Sequence, residues 1–274
     1  MKKTLYNLCR RMYLQYCCLQ VAVLILTALI SSHQTFAQTV NAYTFAQGSN
    51  AYSAISGTAL SFAGTTTTWD DNVASVTIPF TYTFNGTPYT SCSVNSNGYV
   101  TFGATVSSSS SYSAISSTTS YAGAIAAFSR DMINNATSIT TGFIQSAPNR
   151  IFIIQWNNAR RYSGGAVTGD VINFQIRLYE TTNVAEVMYG TCTATSTTSL
   201  TCQVGLRGAT NADFNNRSTA TNWASTTLGG TNSSTCTTTN LIMPASGLTF
   251  SYTPAAPPAC SVPTAVAVGS ITAN

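Results

Sequence analysis

Beyond Gln38 the chain contains neither histidine nor lysine, so acid–base chemistry there would have to run on carboxyl groups. Seven exist: Asp70, Asp71, Asp131, Asp170, Glu180, Glu186 and Asp213. A Ser-His-Asp or Cys-His nucleophile is excluded, as are a His-ligated catalytic zinc, a P-loop lysine and a Schiff-base lysine. What stays open is a carboxylate pair of the glycosidase kind, although spacing does not say which two would converge across a cleft. The acids could also serve a hard cation. Asp70-Asp71-Asn72 sets three oxygen-bearing side chains in a row, and with Asp131, Asn134 and Asn135 they could ligate calcium. No D-x-D-x-D-G loop accompanies them, and adjacent acids at a strand end also make a solvated turn.

Flat rings beside amides and carboxylates can stack on sugars. Trp156 is in phase with Phe152 and Ile154 and belongs in a core. Trp69 and Trp223 are flanked by Thr, Asn and Asp, which makes them the candidates for an exposed glycan platform. Arg160-Arg161 offers two guanidinium groups for an anionic glycan, or else for nearby acids and water.

The first 37 residues read as an export signal: a leader with Lys2, Lys3, Arg10 and Arg11, an apolar run from Leu19 to Ile30, and a small-x-small site at Thr35-Phe36-Ala37. The run is shorter than the roughly 20 residues that span a bilayer, so no transmembrane helix is expected after cleavage. The signal takes with it the only histidine, His33, and four of the basic residues, leaving seven arginines against seven acids. The exported part is close to neutral, which removes the electrostatic argument for nucleic acid as a partner. Cys92, Cys192, Cys202, Cys236 and Cys260 remain, none in a CxxC. Without His a zinc site would need four converging thiolates, so disulfides or buried thiols are expected.

These groups are carried by strands. Ile78, Phe80, Tyr82 and Phe84 alternate with Thr77, Pro79, Thr81 and Thr83, and Ile172, Phe174, Ile176 and Leu178 alternate with Asn173, Gln175, Arg177 and Tyr179. Such a period of two implies one buried and one wet face. Asn85-Gly86, Asn97-Gly98, Ser163-Gly164-Gly165 and Gly229-Gly230 punctuate the runs with turns. The fold class is all-β, a single large antiparallel β-sandwich (jelly-roll-like) over residues 38–254. A turn at Thr181 to Asn183 places Arg177 opposite Glu186. Val184 to Cys192 and Cys202 to Gly208 read as neighbouring strands, which sets Cys192 against Cys202 as a disulfide closing a short Thr/Ser loop. Residues 255–259 form a Pro-rich linker.

Two resemblances rest on these residues. Pro79-Phe80-Thr81-Tyr82-Thr83-Phe84-Asn85-Gly86 followed by Ser93-Val94-Asn95-Ser96-Asn97-Gly98-Tyr99-Val100-Thr101-Phe102-Gly103 resembles the opening of nidogen-like and related bacterial sandwich modules. Arg150-Ile151-Phe152-Ile153-Ile154-Gln155-Trp156, Phe174-Gln175-Ile176-Arg177-Leu178-Tyr179-Glu180 and Val204-Gly205-Leu206-Arg207-Gly208 are similar to the N-terminal region of large surface proteins exported by Bacteroidetes-type bacteria. In those proteins fibronectin type III repeats follow, and residues 260–274 resemble the first strand of such a repeat, cut short. The resemblance implies a non-catalytic extracellular interaction or adhesion module at the front of a multidomain secreted or cell-surface protein, with an extracellular glycan or matrix protein as partner. It carries over no catalytic residue. The alternatives are a carbohydrate-binding accessory module of a secreted hydrolase, and a carboxylate-pair glycosidase.

Overall fold

The computed structural model describes residues 38–62 and 67–256. The segment read as an export signal, the segment expected to begin a fibronectin type III repeat and Cys260 lie outside the described residues, as does the expected linker beyond residue 256. No helix among the described residues is long and apolar enough to cross a membrane.

The strands, in chain order, are β1 (Thr44–Ser49), β2 (Thr58–Ala59), β3 (Val73–Phe84), β4 (Thr87–Asn95), β5 (Tyr99–Phe102), β6 (Gly123–Ser129), β7 (Met132–Ile133) and β8 (Thr140–Ile144). There follow β9 (Ile151–Arg161), β10 (Val171–Tyr179), β11 (Ala185–Thr193), β12 (Leu200–Arg207), β13 (Phe214–Ser218), β14 (Thr227–Leu228), β15 (Cys236–Thr238) and β16 (Leu248–Thr253). They form two antiparallel sheets. The first runs β1-β16-β11-β10-β9-β8-β2, with β7 also on β9; the second runs β14-β13-β12-β6-β5-β4-β3, with β15 also on β12. Within each sheet consecutive strands meander, β3 through β6 in one and β8 through β11 in the other.

Local chemistry sets these pairings. The β3–β4 hairpin turns on Asn85 and Gly86 at φ +52° and +75°, the two positive values that a type I′ turn demands and that Asn-Gly supplies at least cost. On β3, Ile78, Phe80, Tyr82 and Phe84 all face inward. On β10, Ile172, Phe174, Ile176 and Leu178 do the same, and Arg177 pairs directly with Glu186, its Nη1 lying 3.4 Å from Oε1.

Two expectations fail, each for a tertiary reason. The outer face of β10 is not wet at Gln175, which is fully buried: the segment Tyr52 to Ile55 crosses it. There Gln175 Nε2 donates to the Ser53 carbonyl (2.9 Å) and Gln155 Oε1 accepts from the Ile55 amide (2.9 Å). Cys192 and Cys202 do not share a hairpin. The chain leaves the first sheet after β11 and enters the second at β12, so Cys192 faces Ile172 while Cys202 faces Cys236. All four described cysteines are free thiols. A Thr/Ser loop of that length can cross the roughly 10 Å between packed sheets as readily as it can close a hairpin.

The core is an aromatic stack shared by both sheets. Trp156 of β9 lies on Phe174 (4.9 Å between ring centroids), Phe174 on Phe128 of β6 (6.0 Å), and Phe128 on Trp223 (6.0 Å). Tyr189 then meets Trp223 and Phe250 edge-on at 5.3 and 5.7 Å. Phe174 touches rings from both sheets, so removing it opens a cavity that neither sheet can fill alone. Phe174→Ala should cost about 3–5 kcal/mol, read as a lower midpoint with unchanged slope in urea unfolding. A loss under about 1 kcal/mol would mean the stack does not hold the sheets together.

Candidate functional site

The site is organised by the turn between β4 and β5. Asn95, Ser96 and Asn97 are fully buried there, which is unusual for three polar residues in succession and demands that each find partners. Asn95 Nδ2 donates to Tyr99 Oη (2.8 Å), Ser107 Oγ (3.2 Å) and the Ser108 carbonyl (3.0 Å), while its Oδ1 accepts from the Asn97 amide (2.9 Å). Ser96 Oγ accepts from the Asn72 amide (2.9 Å) and donates to the Asp70 carbonyl. Asn97 Nδ2 donates to Asp71 Oδ1 (3.0 Å), and its Oδ1 accepts from the Met132 amide (2.9 Å). Gly98 ends the turn at φ +83°, where a Cβ would stand 2.3 Å from the Phe128 carbonyl oxygen, so only glycine fits.

This turn therefore holds two distant segments, residues 70–72 and 130–132, and brings their acids together. Asp70, Asp71 and Asp131 each offer a carboxylate oxygen within 4.8 Å of the others. Tyr112 Oη donates to Asp71 Oδ2 (3.2 Å). Tyr112, Arg130 and Asp131 continue into a cleft of about 250 Å3 whose remaining wall is rich in hydroxyl and amide groups, among them Ser116, Ser129 and Gln203. The Arg130 guanidinium is committed to carbonyl oxygens of Asp131, Thr201 and Tyr162 (3.1, 3.0 and 2.7 Å), so it shapes the cleft rather than reaching into it.

Burial, then repulsion from Asp71, raises the Asp70 carboxyl above its ordinary range. Burial, then Asp71 and Asp70, does the same for Asp131. Desolvation and the acids Asp131 and Asp71 push the Tyr112 hydroxyl up to about 12. Three carboxylates supply part of the six to eight oxygens that calcium takes. Asn134, one of the further ligands expected beside Asn72 and Asn135, is engaged elsewhere: its side chain donates to the Thr67 carbonyl and its own carbonyl receives Arg160 at 2.7 Å.

The other candidates are placed elsewhere. Trp69 and Trp223 are each 1 % exposed and form no platform. The Trp69 indole donates to the Thr137 carbonyl and that of Trp223 to the Thr237 carbonyl, both at 2.9 Å. Their polar neighbours mark turns, but an indole buries more apolar area than any other side chain, and the core takes it. Arg161 is wholly buried in a bidentate pair with Asp170 (2.6 and 2.9 Å) and is not presented to a glycan, while Arg160 is half-buried and bonds the Asn134 carbonyl through Nε and Nη2. Glu180 pairs with Arg150 at 2.6 Å, Glu186 with Arg177, and Asp213 accepts the amides of Val40 and Asn41 (3.1 and 3.0 Å). Sequence reasoning did not assign Asn95, Asn97 or Tyr112 to the site. The V-N-S-N-G run was visible as a turn, and its polar residues gain meaning only once it is buried. Tyr112, inside a serine-rich loop, gave no signal.

A family model described as NIDO related matches residues 42–254. The chain belongs to the NIDO-related family. The match spans the whole sandwich and agrees with the nidogen-like resemblance of the β3–β5 residues. No curated protein and no solved structure matches the chain significantly.

Because Asp70 and Asp131 keep their protons to a higher pH when folded than when unfolded, their ionisation opposes folding. The penalty is absent below the unfolded carboxylate value of about 3.9 and grows as pH rises through the raised folded values. Asp70→Asn, at a side chain exposed to screening solvent, should therefore stabilise at pH 7 by less than about 1 kcal/mol. The gain should fade toward pH 3 in thermal melts taken across the range. An equal gain at both pH values would show that repulsion is not its source.

Proposed function

We propose that the chain is a non-catalytic extracellular interaction module of a secreted or cell-surface protein, and that it binds its partner in the acid-rimmed cleft beside Tyr112. The observation that carries this reading is the convergence of Asp70 and Asp71 on Asp131, which lines the cleft. The other four acids are engaged by arginines or backbone amides. The rim therefore offers a fixed negative field over a floor of hydroxyl and amide groups, which suits an extracellular partner presenting cationic and hydroxyl groups: a matrix protein or a glycan. The resemblance and the expected leader support an adhesive role within a longer exported polypeptide. The carbohydrate-binding alternative has lost its stacking platform, since both tryptophans proposed for it lie in the core.

The test is to pass the full chain over matrix-protein and glycan arrays, with calcium and with chelator, beside a panel of glycosidic, ester and peptide substrates. Saturable binding is expected without turnover, weakened at least about tenfold by Tyr112→Ala or Asp71→Asn. Turnover abolished by Asp71→Asn or Asp131→Asn would replace the module with an enzyme. Binding that ignores both variants would move the interaction surface elsewhere.

A further inference from the structure

We propose that Cys202 and Cys236 are the disulfide partners of this domain, joining β12 to β15. The proposal rests on the extracellular reading above only for where the bond would form in life; the geometry is independent of it.

The two residues are directly opposed in an antiparallel register that runs Leu200 to Thr238, Thr201 to Thr237 and Cys202 to Cys236. Side chains directly opposite each other share a face, and both of these enter the hydrophobic core, at 1 % and 0 % exposure. Opposed Cβ atoms in such a ladder lie about 4.5–5.5 Å apart, and a disulfide draws them to about 3.5–4.5 Å. Rotation about χ1 and a small closing of the ladder bridge the difference. In the thiol form Cys202 Sγ already lies 3.8 Å from its partner's own carbonyl oxygen, while Cys236 Sγ meets the Arg217 carbonyl at 3.6 Å. Only these weak thiol hydrogen bonds are given up. The other two described cysteines have no cysteine opposite: Cys92 faces Val76, and Cys192 faces Ile172 and donates to the Asn173 carbonyl at 3.3 Å.

The oxidant is a small-molecule or protein disulfide. The Cys202 thiolate attacks it to give a mixed disulfide and release one thiol. The Cys236 thiolate then attacks the Cys202 sulfur and releases the second. The pair loses two protons and two electrons, and the oxidant is reduced to two thiols. Burial holds both folded thiols protonated, with Cys236 pushed up to about 12, so the exchange belongs to folding, before β15 docks. The loop it closes carries β13, β14 and Trp223. The bond would thus staple the excursion that delivers Trp223 to the aromatic stack.

Trypsin cuts after Arg177, Arg207 and Arg217, which leaves Cys192 and Cys202 in fragment 178–207 and Cys236 and Cys260 in fragment 218–274. The full chain refolded with glutathione disulfide should give these two fragments joined, lighter than their sum by two hydrogens. The link should persist in Cys192→Ser and Cys260→Ser and vanish in Cys202→Ala and Cys236→Ala. Reduction should lower the melting temperature of the wild type by about 5–10 °C and leave those two alanine variants unmoved. Unlinked fragments in the wild type, or a link that survives Cys202→Ala or disappears in Cys192→Ser, would overturn the pairing. The oxidant is supplied in the tube, so such a failure removes the disulfide and leaves the extracellular reading standing.

Discussion

One buried hydrogen bond joins the core to the site. Trp156 Nε1 donates to the carbonyl of Ser96 at 2.9 Å, both residues being fully enclosed. An indole N–H left without an acceptor in such a place costs about 1–3 kcal/mol, so the turn must stay where its carbonyl meets the ring. The ring is fixed in turn by stacking on Phe174. Packing in one sheet thus positions a turn of the other, and Asn97 of that turn reaches Asp71 with its amide nitrogen and Met132 with its amide oxygen. The acid cluster is the far end of this chain of contacts.

Electrostatics explains why the cluster stands out in a domain with almost no net charge. Three of the seven arginines form ion pairs with Asp170, Glu180 and Glu186. Two more, Arg130 and Arg160, bind backbone carbonyls, and Arg207 and Arg217 lie over the rings of Tyr121 and Phe45 at 4.1 and 3.8 Å. No arginine forms an ion pair with Asp70, Asp71 or Asp131 among the described residues. Neutrality in total therefore coexists with a local concentration of negative charge, because the cations are used to satisfy buried carbonyls and to pack against aromatic faces.

The outer faces of the sheets are not left to water either. The loop that carries Tyr112 and Tyr121 lays Ala114 and Ile115 over Tyr99, Ala124 and Ala126 of the second sheet, and the segment from Tyr52 covers the glutamines of the first. The first of these covers also forms one wall of the cleft. The cleft proposed for binding is thus walled by the loop that seals the outer face of the second sheet, and loops on a rigid scaffold are where function is commonly carried.

The alternation of Ile78, Phe80, Tyr82 and Phe84, and of Ile172 to Leu178, determined by itself that the chain folds as strands with one buried face, and Asn85-Gly86 determined where one hairpin turns. The absence of His and Lys beyond Gln38 confined acid–base chemistry to seven acids, and the pairing of Arg177 with Glu186 followed from a short turn. These are local facts, with periods and spacings written along the chain. The tertiary structure alone decided that Cys202 faces Cys236, that Trp69 and Trp223 are core, that Gln175 is covered, and that Asp131 joins Asp70 and Asp71. Each depends on which sheet a strand enters after a loop. A period of two tells a residue's face but not which strand, loop or sheet lies opposite that face.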